Sequence, residues 1–366
     1  MDIHASERPK RRIQALDILR GITVAAMIVV NNGASSKVSY AQLLHSEWNG
    51  LTLCDMVFPS FLFIVGVSTY LSLGKVAGGW SRPLAYKIFR RTLLIALIGW
   101  GLHWFGHLLE GDLFPVGTFR LTGVLPRIAV CYCLASVAVV SIRRDLMWWI
   151  VAALLILYGA LLLYGNGLVN SADNIIARVD RWVLGAGHIY AKRPIDPEGL
   201  VSNVGALAHT IVGVCIGMVV VDRRLDMPHK LLKIMAVGFG LLLLALCAEA
   251  IVPVNKRIWS PSFVLVTCGL VSLALGAVSY LVDVRGGGKA LGLFTIYGVN
   301  PLFLYVLSEL VSEVMAFTHA KTAVYECILS VVGVPQLSSA IYAVCFSLAF
   351  CAIGYPLYKR KIYIKI

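Results

Sequence analysis

The segment "LCDMVFPSFLFIVGVSTYLSLG", residues 53–74, decides the fold class of this chain. Its one charged side chain, Asp55, lies near its start, and most of the remaining positions are apolar. A helix needs about 20 mostly apolar residues to cross the roughly 30 Å hydrocarbon layer of a membrane. Residues 53–74 therefore predict a transmembrane helix.

The composition of the whole chain extends this interpretation. Of its 366 residues, 59% are hydrophobic and only 14% are charged, and the mean hydropathy is +0.82. Soluble domains have about 25% charged residues. A soluble fold of this size cannot bury so much apolar surface. The sequence therefore predicts an all-α, polytopic helix bundle that is integral to a membrane and in contact with lipid.

We expect one transmembrane domain that covers residues 1–366. The ninth predicted helix is long enough to tilt or break, and residues 321–334 are too short to span and are expected to be re-entrant or interfacial. The basic start of the chain resembles a signal sequence, but Asp17 and Arg20 interrupt its apolar run, so we predict a retained first helix. Ten transmembrane helices are predicted, at residues 13–33, 53–74, 90–109, 125–141, 146–165, 205–221, 231–251, 262–282, 291–317 and 336–357.

The distribution of basic residues orients the predicted helices. With the N-terminus inside, 21 Lys and Arg residues fall in inner segments and 10 in outer segments. Cytoplasmic loops carry such an excess, so both termini are expected in the cytoplasm and His45 on the outer side. The net charge of +13 is explained in this way, and we expect no nucleic-acid partner.

Cysteines and histidines give little sign of a metal site. The nine cysteines show no CxxC spacing, and most lie inside apolar runs, where they are typical small buried side chains. His103 and His107 share one helix face, but without an acidic or cysteine partner this pair favours hydrogen bonding between helices. We expect no bound metal and no disulfide framework.

Ionisable and amide side chains inside apolar runs are costly and are usually paired or functional. Arg20 is three residues from Asp17, and it either forms a structural ion pair or receives an anion from the cytoplasm. Asn31 and Asn32 end the first helix before a glycine, either as a simple helix terminus or as amides that point into a site shared with His45.

His45 is either an incidental interfacial residue or a catalytic base. Glu47, Asn49 and Asp55 supply hydrogen-bonding groups close in sequence that can fix its tautomer and tune its basicity. Further along the chain, Glu309 and Glu313 share one helix face, which also suits a proton-coupled transporter.

Five segments in the same order resemble the transmembrane heparan-alpha-glucosaminide N-acetyltransferase family. They are "ALDILRGITVAAMIVVNNG" (15–33), "LLHSEWNGLTLCDMVFPSFLFIVGVS" (43–68), "TGVLPRIAVCYCLAS" (122–136), "IWSPSFVLVTCGLVSLAL" (258–275) and "GVNPLFLYVLSEL" (298–310). The pattern His-x-x-Trp-Asn-Gly, followed by Asp-x-x-Phe-Pro, is the most specific part. No large region precedes the first helix, so we expect a bacterial-type member in the cytoplasmic (inner) membrane.

The resemblance implies transfer of an acetyl group from cytoplasmic acetyl-CoA to the amino group of a glucosamine-type sugar on the outer side. His45 matches the catalytic histidine of the family, and Asn31, with Asn32 as the alternative, matches a catalytic asparagine. Glu47 and Asp55 are predicted to orient the imidazole of His45.

Three further residues are predicted to bind the co-substrate acetyl-CoA. The chain is also expected to be capable of forming a homodimer. The alternatives are a secondary transporter of a sugar or cation, and an O-acyltransferase for an envelope polysaccharide. The three predicted co-substrate residues are Arg20, Arg127 and Asn300.

Overall fold

The structure, a computed structural model, describes residues 14–76, 78–190, 193–289 and 291–364. Within these ranges every regular element is helical, and there is no strand. The thirteen α-helices are α1 Gln14–Asn31, α2 Leu53–Leu73, α3 Arg82–Leu109, α4 Val124–Ser141, α5 Met147–Tyr164, α6 Ile175–Leu184, α7 Asn203–Val221, α8 Met227–Glu249, α9 Pro261–Ser279, α10 Gly292–Val299, α11 Pro301–Phe317, α12 Ala320–Val332 and α13 Pro335–Lys359.

Nine of the helical segments in the described chain are long and apolar enough to cross a membrane, and α10 with α11 can form a tenth span. The prediction of an all-α bundle of about ten transmembrane helices is thus confirmed. Two helices begin four or more residues earlier than predicted, because Ser81 caps α3 and Asp226 caps α8 through side-chain oxygens that accept backbone N–H groups. The predicted loop 166–203 contains the additional short helix α6.

The ninth predicted helix is broken. Its halves, α10 and α11, meet at an angle of 82°. Pro301 has no N–H for a continuous helix, and its ring disfavours helical geometry at the residue before it, Asn300, whose φ is −128° and ψ is 59°. The following segment 321–334 is mostly α12, whose 13 residues measure about 20 Å and are too short to span.

Helices α2 and α7 form the centre of the bundle. Their backbones lie so close that a Cβ at Gly66 would be 2.0 Å from the carbonyl oxygen of Thr210, and one at Gly213 would be 2.2 Å from that of Phe63. Small residues at such contacts allow membrane helices to approach closely. This contact fixes the height of α2, and therefore of Asp55 in its first turn, within the bundle.

Contacts between loops divide the bundle into two ends. At one end, which we call the His45 end, the segment 45–50 contacts the segment 253–260 through the Asn49 and Asn255 side chains. At the opposite end, Asn300 holds the C-terminal segment, because its Nδ2 donates to the carbonyl of Ile362 and its Oδ1 accepts from the N–H of Ile364.

Candidate active site

His45 and Asp55 form the centre of the candidate site. The Nδ1 atom of His45 lies 2.8 Å from Oδ1 of Asp55. The carboxylate is fully buried, whereas 52% of the histidine side chain is exposed. One ring nitrogen is therefore held by a buried carboxylate, and the imidazole stays open to a substrate.

Local sequence explains why Asp55 has this position. Thr52 caps α2, and its side chain accepts the N–H of Asp55 while Oδ2 of Asp55 accepts the N–H of Thr52. This reciprocal capping box fixes the first turn of the helix. Oδ2 also accepts the N–H of Ser46, which ties the loop that carries His45 to the same carboxylate. Asp55 thus orders the loop as well as the imidazole.

A second loop brings a cation to the pair. The Nζ atom of Lys256 lies 3.0 Å from Nδ1 and 3.2 Å from Nε2 of His45, and 3.7 Å from Oδ1 of Asp55. The Oδ1 atom of Asn255 accepts the N–H groups of Arg257 and Ile258, which folds the segment into a tight turn. Lys256 is 211 residues from His45 in the sequence, and the fold brings the two side chains together.

Sequence reasoning missed Lys256. It lies two residues before the quoted segment "IWSPSFVLVTCGLVSLAL", but no local pattern connects it with His45. The contact of Cys54 was likewise not predicted, and its Sγ lies 3.2 Å from Nδ1 of His45. The only signal in the sequence was the presence of both segments in the family pattern.

Glu47 lies apart from this network. Its side chain is exposed, and among the described residues no hydrogen bond or ion pair joins it to the imidazole. The orienting contact that we predicted for Glu47 and Asp55 together is made in this structure by Asp55. The neighbouring Trp48 and Asn49 hold the loop, with Trp48 donating its indole N–H to the carbonyl of Leu168.

Asn31 and Asn32 point in different directions. Nδ2 of Asn31 donates to Oε1 of Glu309 on α11, at 2.9 Å. Asn32 is buried and donates to the carbonyl of Ile28 in its own helix. Asn31 also lines a cleft of about 190 Å³ together with Leu44, the residue before His45. Of the two amides, Asn31 is therefore the one that faces open space near His45.

A larger cavity of about 610 Å³ opens towards the opposite end of the bundle. Four basic side chains line it, and its remaining wall is largely apolar. Arg20 also donates to Ser68 at 2.8 Å and pairs with Asp17 at 3.0 Å, while Arg91 lies over the ring of Tyr132. The four basic residues are Arg20, Lys87, Arg90 and Arg91.

The other two residues predicted to bind acetyl-CoA lie elsewhere. Arg127 is buried towards the His45 end, where Nη2 donates to the carbonyl of Gly199 and the guanidinium lies over the ring of Trp259. Asn300 is buried at the helix break, and both ends of its amide bind the C-terminal segment. Ile364 of that segment lines the basic cavity, so Asn300 shapes the cavity wall indirectly.

The described residues contain no group of three or more His, Cys, Asp or Glu side chains arranged to hold a metal ion. The rings of His103 and His107 contact each other, with centroids 5.0 Å apart. His107 also lies 3.9 Å from a carboxylate oxygen of Asp112.

Charged residues fasten the long loop after α5 at the His45 end. Arg120 pairs with Asp196 and, at 2.7 Å, with Glu198. Burial alone would raise the pKa of Asp196, but Arg120 outweighs it and holds this pKa below the usual range. Asp180 on α6 is different: burial, with a contribution from Asp196, raises its pKa to about 6, although the N–H groups of Leu200 and Val201 donate to it.

Comparison with known proteins gives one matching family model and two curated relatives. The family model described as "Heparan-alpha-glucosaminide N-acetyltransferase, catalytic" matches residues 12–179, which include Asn31, His45 and Asp55. The chain is 26% identical to heparan-alpha-glucosaminide N-acetyltransferase of Homo sapiens, over 84% of this chain and 54% of the human protein. It is 25% identical to the protein of that name from Mus musculus, over 97% of this chain and 60% of the mouse protein.

The chain therefore spans a little over half the length of these relatives. The similarity nevertheless extends well beyond the matched family model and covers most of the ten predicted transmembrane segments. In its sequence and its helical architecture, this chain is similar to the heparan-alpha-glucosaminide N-acetyltransferase family, and these matches support that resemblance.

Proposed function

We propose that this integral membrane protein transfers an acetyl group from cytoplasmic acetyl-CoA to the amino group of a glucosamine-type sugar at the outer face. In this proposal both termini are cytoplasmic and the His45 end is the outer end. The observation that carries the proposal is the position of two complementary sites in one bundle: a basic cavity at one end, and an imidazole–carboxylate pair at the other.

The basic cavity suits the donor. Acetyl-CoA has a polyanionic nucleotide and a slender pantetheine arm that ends in the acetyl thioester. Arg20, Lys87, Arg90 and Arg91 provide positive charge for the phosphates, and the apolar wall accommodates the arm. On α2 the lining residues run from Thr69 to Phe61.

The geometry of α2 sets the distance that the arm must cover beyond the cavity. Phe61 is six residues from Asp55, so about 9 Å of helix separates the end of the cavity from the His45–Asp55 pair. In our proposal the arm passes Phe61 and presents the thioester to His45, so that the acetyl group crosses the membrane within the protein.

The His45–Asp55 pair suits acyl transfer. With Nδ1–H donating to Asp55, the lone pair of the imidazole lies on Nε2, 3.2 Å from Nζ of Lys256. Nε2 either removes a proton from the sugar ammonium, or attacks the thioester and holds the acetyl group until the amine takes it. By either route the ammonium and acetyl-CoA give the N-acetyl sugar, the free thiol of CoA and one proton.

Two neighbouring groups support this chemistry. The ammonium group of Lys256 lies 3.2 Å from Nε2. In our proposal it stabilises the negative charge that develops on the acetyl oxygen beside Nε2. Asn31 donates one Nδ2–H to Glu309, and in our proposal its second Nδ2–H donates to the acetyl oxygen. Preorganised donors of this kind contribute about 3 kcal/mol each in other acyl-transfer enzymes.

The test uses purified protein with labelled acetyl-CoA and a panel of acceptors: glucosamine, muramic-type sugars and hydroxyl-bearing sugars. We expect acetylation of glucosamine by the wild-type protein and its loss in His45→Ala. Glu47→Gln is the matched control, because Glu47 is exposed in the same loop and should leave turnover unchanged. Normal turnover in His45→Ala would refute the assignment of the site.

Binding of CoA is measured separately by thermal stability. A ligand that binds the native state raises the apparent melting temperature. Wild-type and His45→Ala should be stabilised equally, because His45 lies outside the basic cavity. Indifference of the wild-type protein to saturating CoA would favour a transporter.

The two chemical routes are separated by rapid quench with labelled acetyl-CoA in the absence of acceptor. Label bound covalently to wild-type protein, and absent from His45→Ala, supports the acetyl-histidine route. A protein that turns over with acceptor but never carries label supports direct transfer.

A further inference from the structure

The cleft of about 190 Å³ at the His45 end is separate from the basic cavity. It lies between the end of α1, the segment 33–44 and the start of α13. Its wall includes Asn31, four serines and the apolar residues Leu43 and Leu44, which directly precede His45 in the chain. The four serines are Ser35, Ser36, Ser39 and Ser339. Hydroxyl and amide groups beside a small apolar surface are the lining that a single sugar ring requires.

The amide of Asn31, which lines this cleft, is hydrogen-bonded to a carboxylate. Oε1 of Glu309, on α11, accepts the Nδ2–H of Asn31 at 2.9 Å. Among the described residues, no Lys, Arg or His nitrogen lies within the 4.0 Å of an ion pair with Glu309. Its charged neighbours are Glu313 on the same helix and Lys321 on α12, and the Lys321 nitrogen lies beyond that distance.

An acidic side chain in a membrane-spanning helix is costly unless a cation compensates it, and such residues usually mark a substrate pathway. Within the part of the chain that the structure describes, Glu309 has an amide donor but no cation within ion-pair distance. The acceptor of the proposed reaction supplies a cation, because the amino group of a glucosamine-type sugar is an ammonium at neutral pH.

We propose that Glu309 binds the ammonium group of the acceptor sugar and that the serine-lined cleft holds its ring. This inference rests on the proposed acetyltransferase function and specifies its acceptor site. Asn31 then makes two hydrogen bonds: one Nδ2–H positions the Glu309 carboxylate, and the second Nδ2–H donates to the oxygen of the acetyl group. A hydroxyl acceptor brings no positive charge to Glu309, so the site selects amines.

A purely structural role for Glu309 makes a different prediction. If the carboxylate only positions Asn31, then Glu309→Gln should behave as the wild-type protein, because the amide oxygen of glutamine still accepts from Nδ2. If the carboxylate binds the ammonium, Glu309→Gln should lose acceptor affinity, because the hydrogen bond to Asn31 remains but the charge is gone.

The experiment compares wild-type, Glu309→Gln and Glu313→Gln proteins with acetyl-CoA and two acceptors. Both reactions are run at neutral pH, where glucosamine is mostly cationic and hydroxylamine, a small nucleophile, is mostly uncharged. Glu313 is exposed one turn further along the same face, so its variant is the matched control. Thermal stabilisation by CoA shows that each variant is folded with an intact donor site.

For Glu309→Gln we expect a KM for glucosamine raised about tenfold or more, the loss typical of one charge-assisted hydrogen bond. Its reaction with hydroxylamine and its stabilisation by CoA should match the wild-type values. Glu313→Gln should match the wild-type protein in all three measurements.

An unchanged KM for glucosamine in Glu309→Gln would overturn this inference and leave the acetyltransferase proposal intact. Equal losses with glucosamine and hydroxylamine would also overturn it, because they would show that the charge of Glu309 does not act on the ammonium group of the acceptor. A wild-type protein that acetylates no amine would overturn the proposed function itself.

Discussion

Nδ1 of His45 lies 2.8 Å from Oδ1 of Asp55, although one residue is in a loop and the other is in the first turn of a helix. The same carboxylate accepts N–H groups from Ser46 and Thr52. The orientation of the imidazole and the cap of α2 are therefore one structural unit. A substitution at Asp55 should affect both catalysis and the local stability of the loop.

For Asp55→Asn we predict a turnover reduced about a hundredfold or more, because the amide cannot stabilise a protonated imidazole or hold the same tautomer. The melting temperature should also fall, as weaker acceptors replace charge-assisted bonds worth about 1.5–3 kcal/mol each. Thermal unfolding and acetylation of glucosamine are the measurements. Thr52→Ser keeps the cap and is the control; full activity in Asp55→Asn would contradict the role of the pair.

For Lys256→Met we predict a turnover at least tenfold lower, with an unchanged affinity for CoA. The ammonium lies 3.0 Å from Nδ1 and 3.7 Å from the buried Asp55, and loss of a preorganised charge at a reacting centre commonly costs tenfold or more. Lys37→Met, at an exposed lysine of the same end, is the control. Lysine and methionine have similar length, so a wild-type rate in Lys256→Met would show that the charge is dispensable.

For Arg90→Gln and Arg91→Gln we predict a KM for acetyl-CoA raised about fivefold or more in each, and a smaller thermal shift with CoA. Both residues line the basic cavity, and loss of one phosphate contact weakens binding by about 1–3 kcal/mol. Arg143→Gln is the control, because Arg143 lies outside the cavity and pairs with Asp145.

A donor that lacks the nucleotide sharpens the same test. A short acetyl thioester of cysteamine has no phosphates, so its turnover should be equal in wild-type, Arg90→Gln and Arg91→Gln proteins. An equal loss with both donors would show that the two arginines do not act on the phosphates.

Asp180 should make the stability of the His45 end depend on pH. Its pKa is raised to about 6 from an ordinary 3.8, so the folded state binds this proton more tightly than the unfolded state. The contribution to stability is therefore greatest below about pH 4 and is lost as the pH rises to about 6. At neutral pH the ionised carboxylate carries the full penalty of its burial.

For Asp180→Asn we predict a higher melting temperature than the wild-type protein at neutral pH, because the amide oxygen still accepts from Leu200 and Val201 while the buried charge is gone. The gain should be about 1–3 kcal/mol and should shrink on acidification to below pH 4. Melting curves of both proteins across this range test it. A difference independent of pH would contradict the assignment to Asp180 ionisation.

The sequence by itself determined the class of the fold. Apolar runs such as 53–74 and 205–221 are long enough to cross a membrane, and within a bilayer each backbone must satisfy its own hydrogen bonds, which helices do locally. Helix positions followed from this requirement. The starts of α3 and α8 did not, because the caps at Ser81 and Asp226 lie outside the apolar runs.

Sequence patterns also predicted His45, Asp55 and Asn31 as site residues, since they lie close together along the chain in a motif that resembles the family. Only the tertiary structure decided their partners. Lys256 reaches His45 across 211 residues, and Glu309 reaches Asn31 across 278. Such contacts depend on how the helices pack in three dimensions, which the close approach of α2 and α7 helps to fix, and no local pattern encodes them. Local residues thus determined the helices and the motif, whereas the packing of the bundle decided which charges meet in the candidate active site.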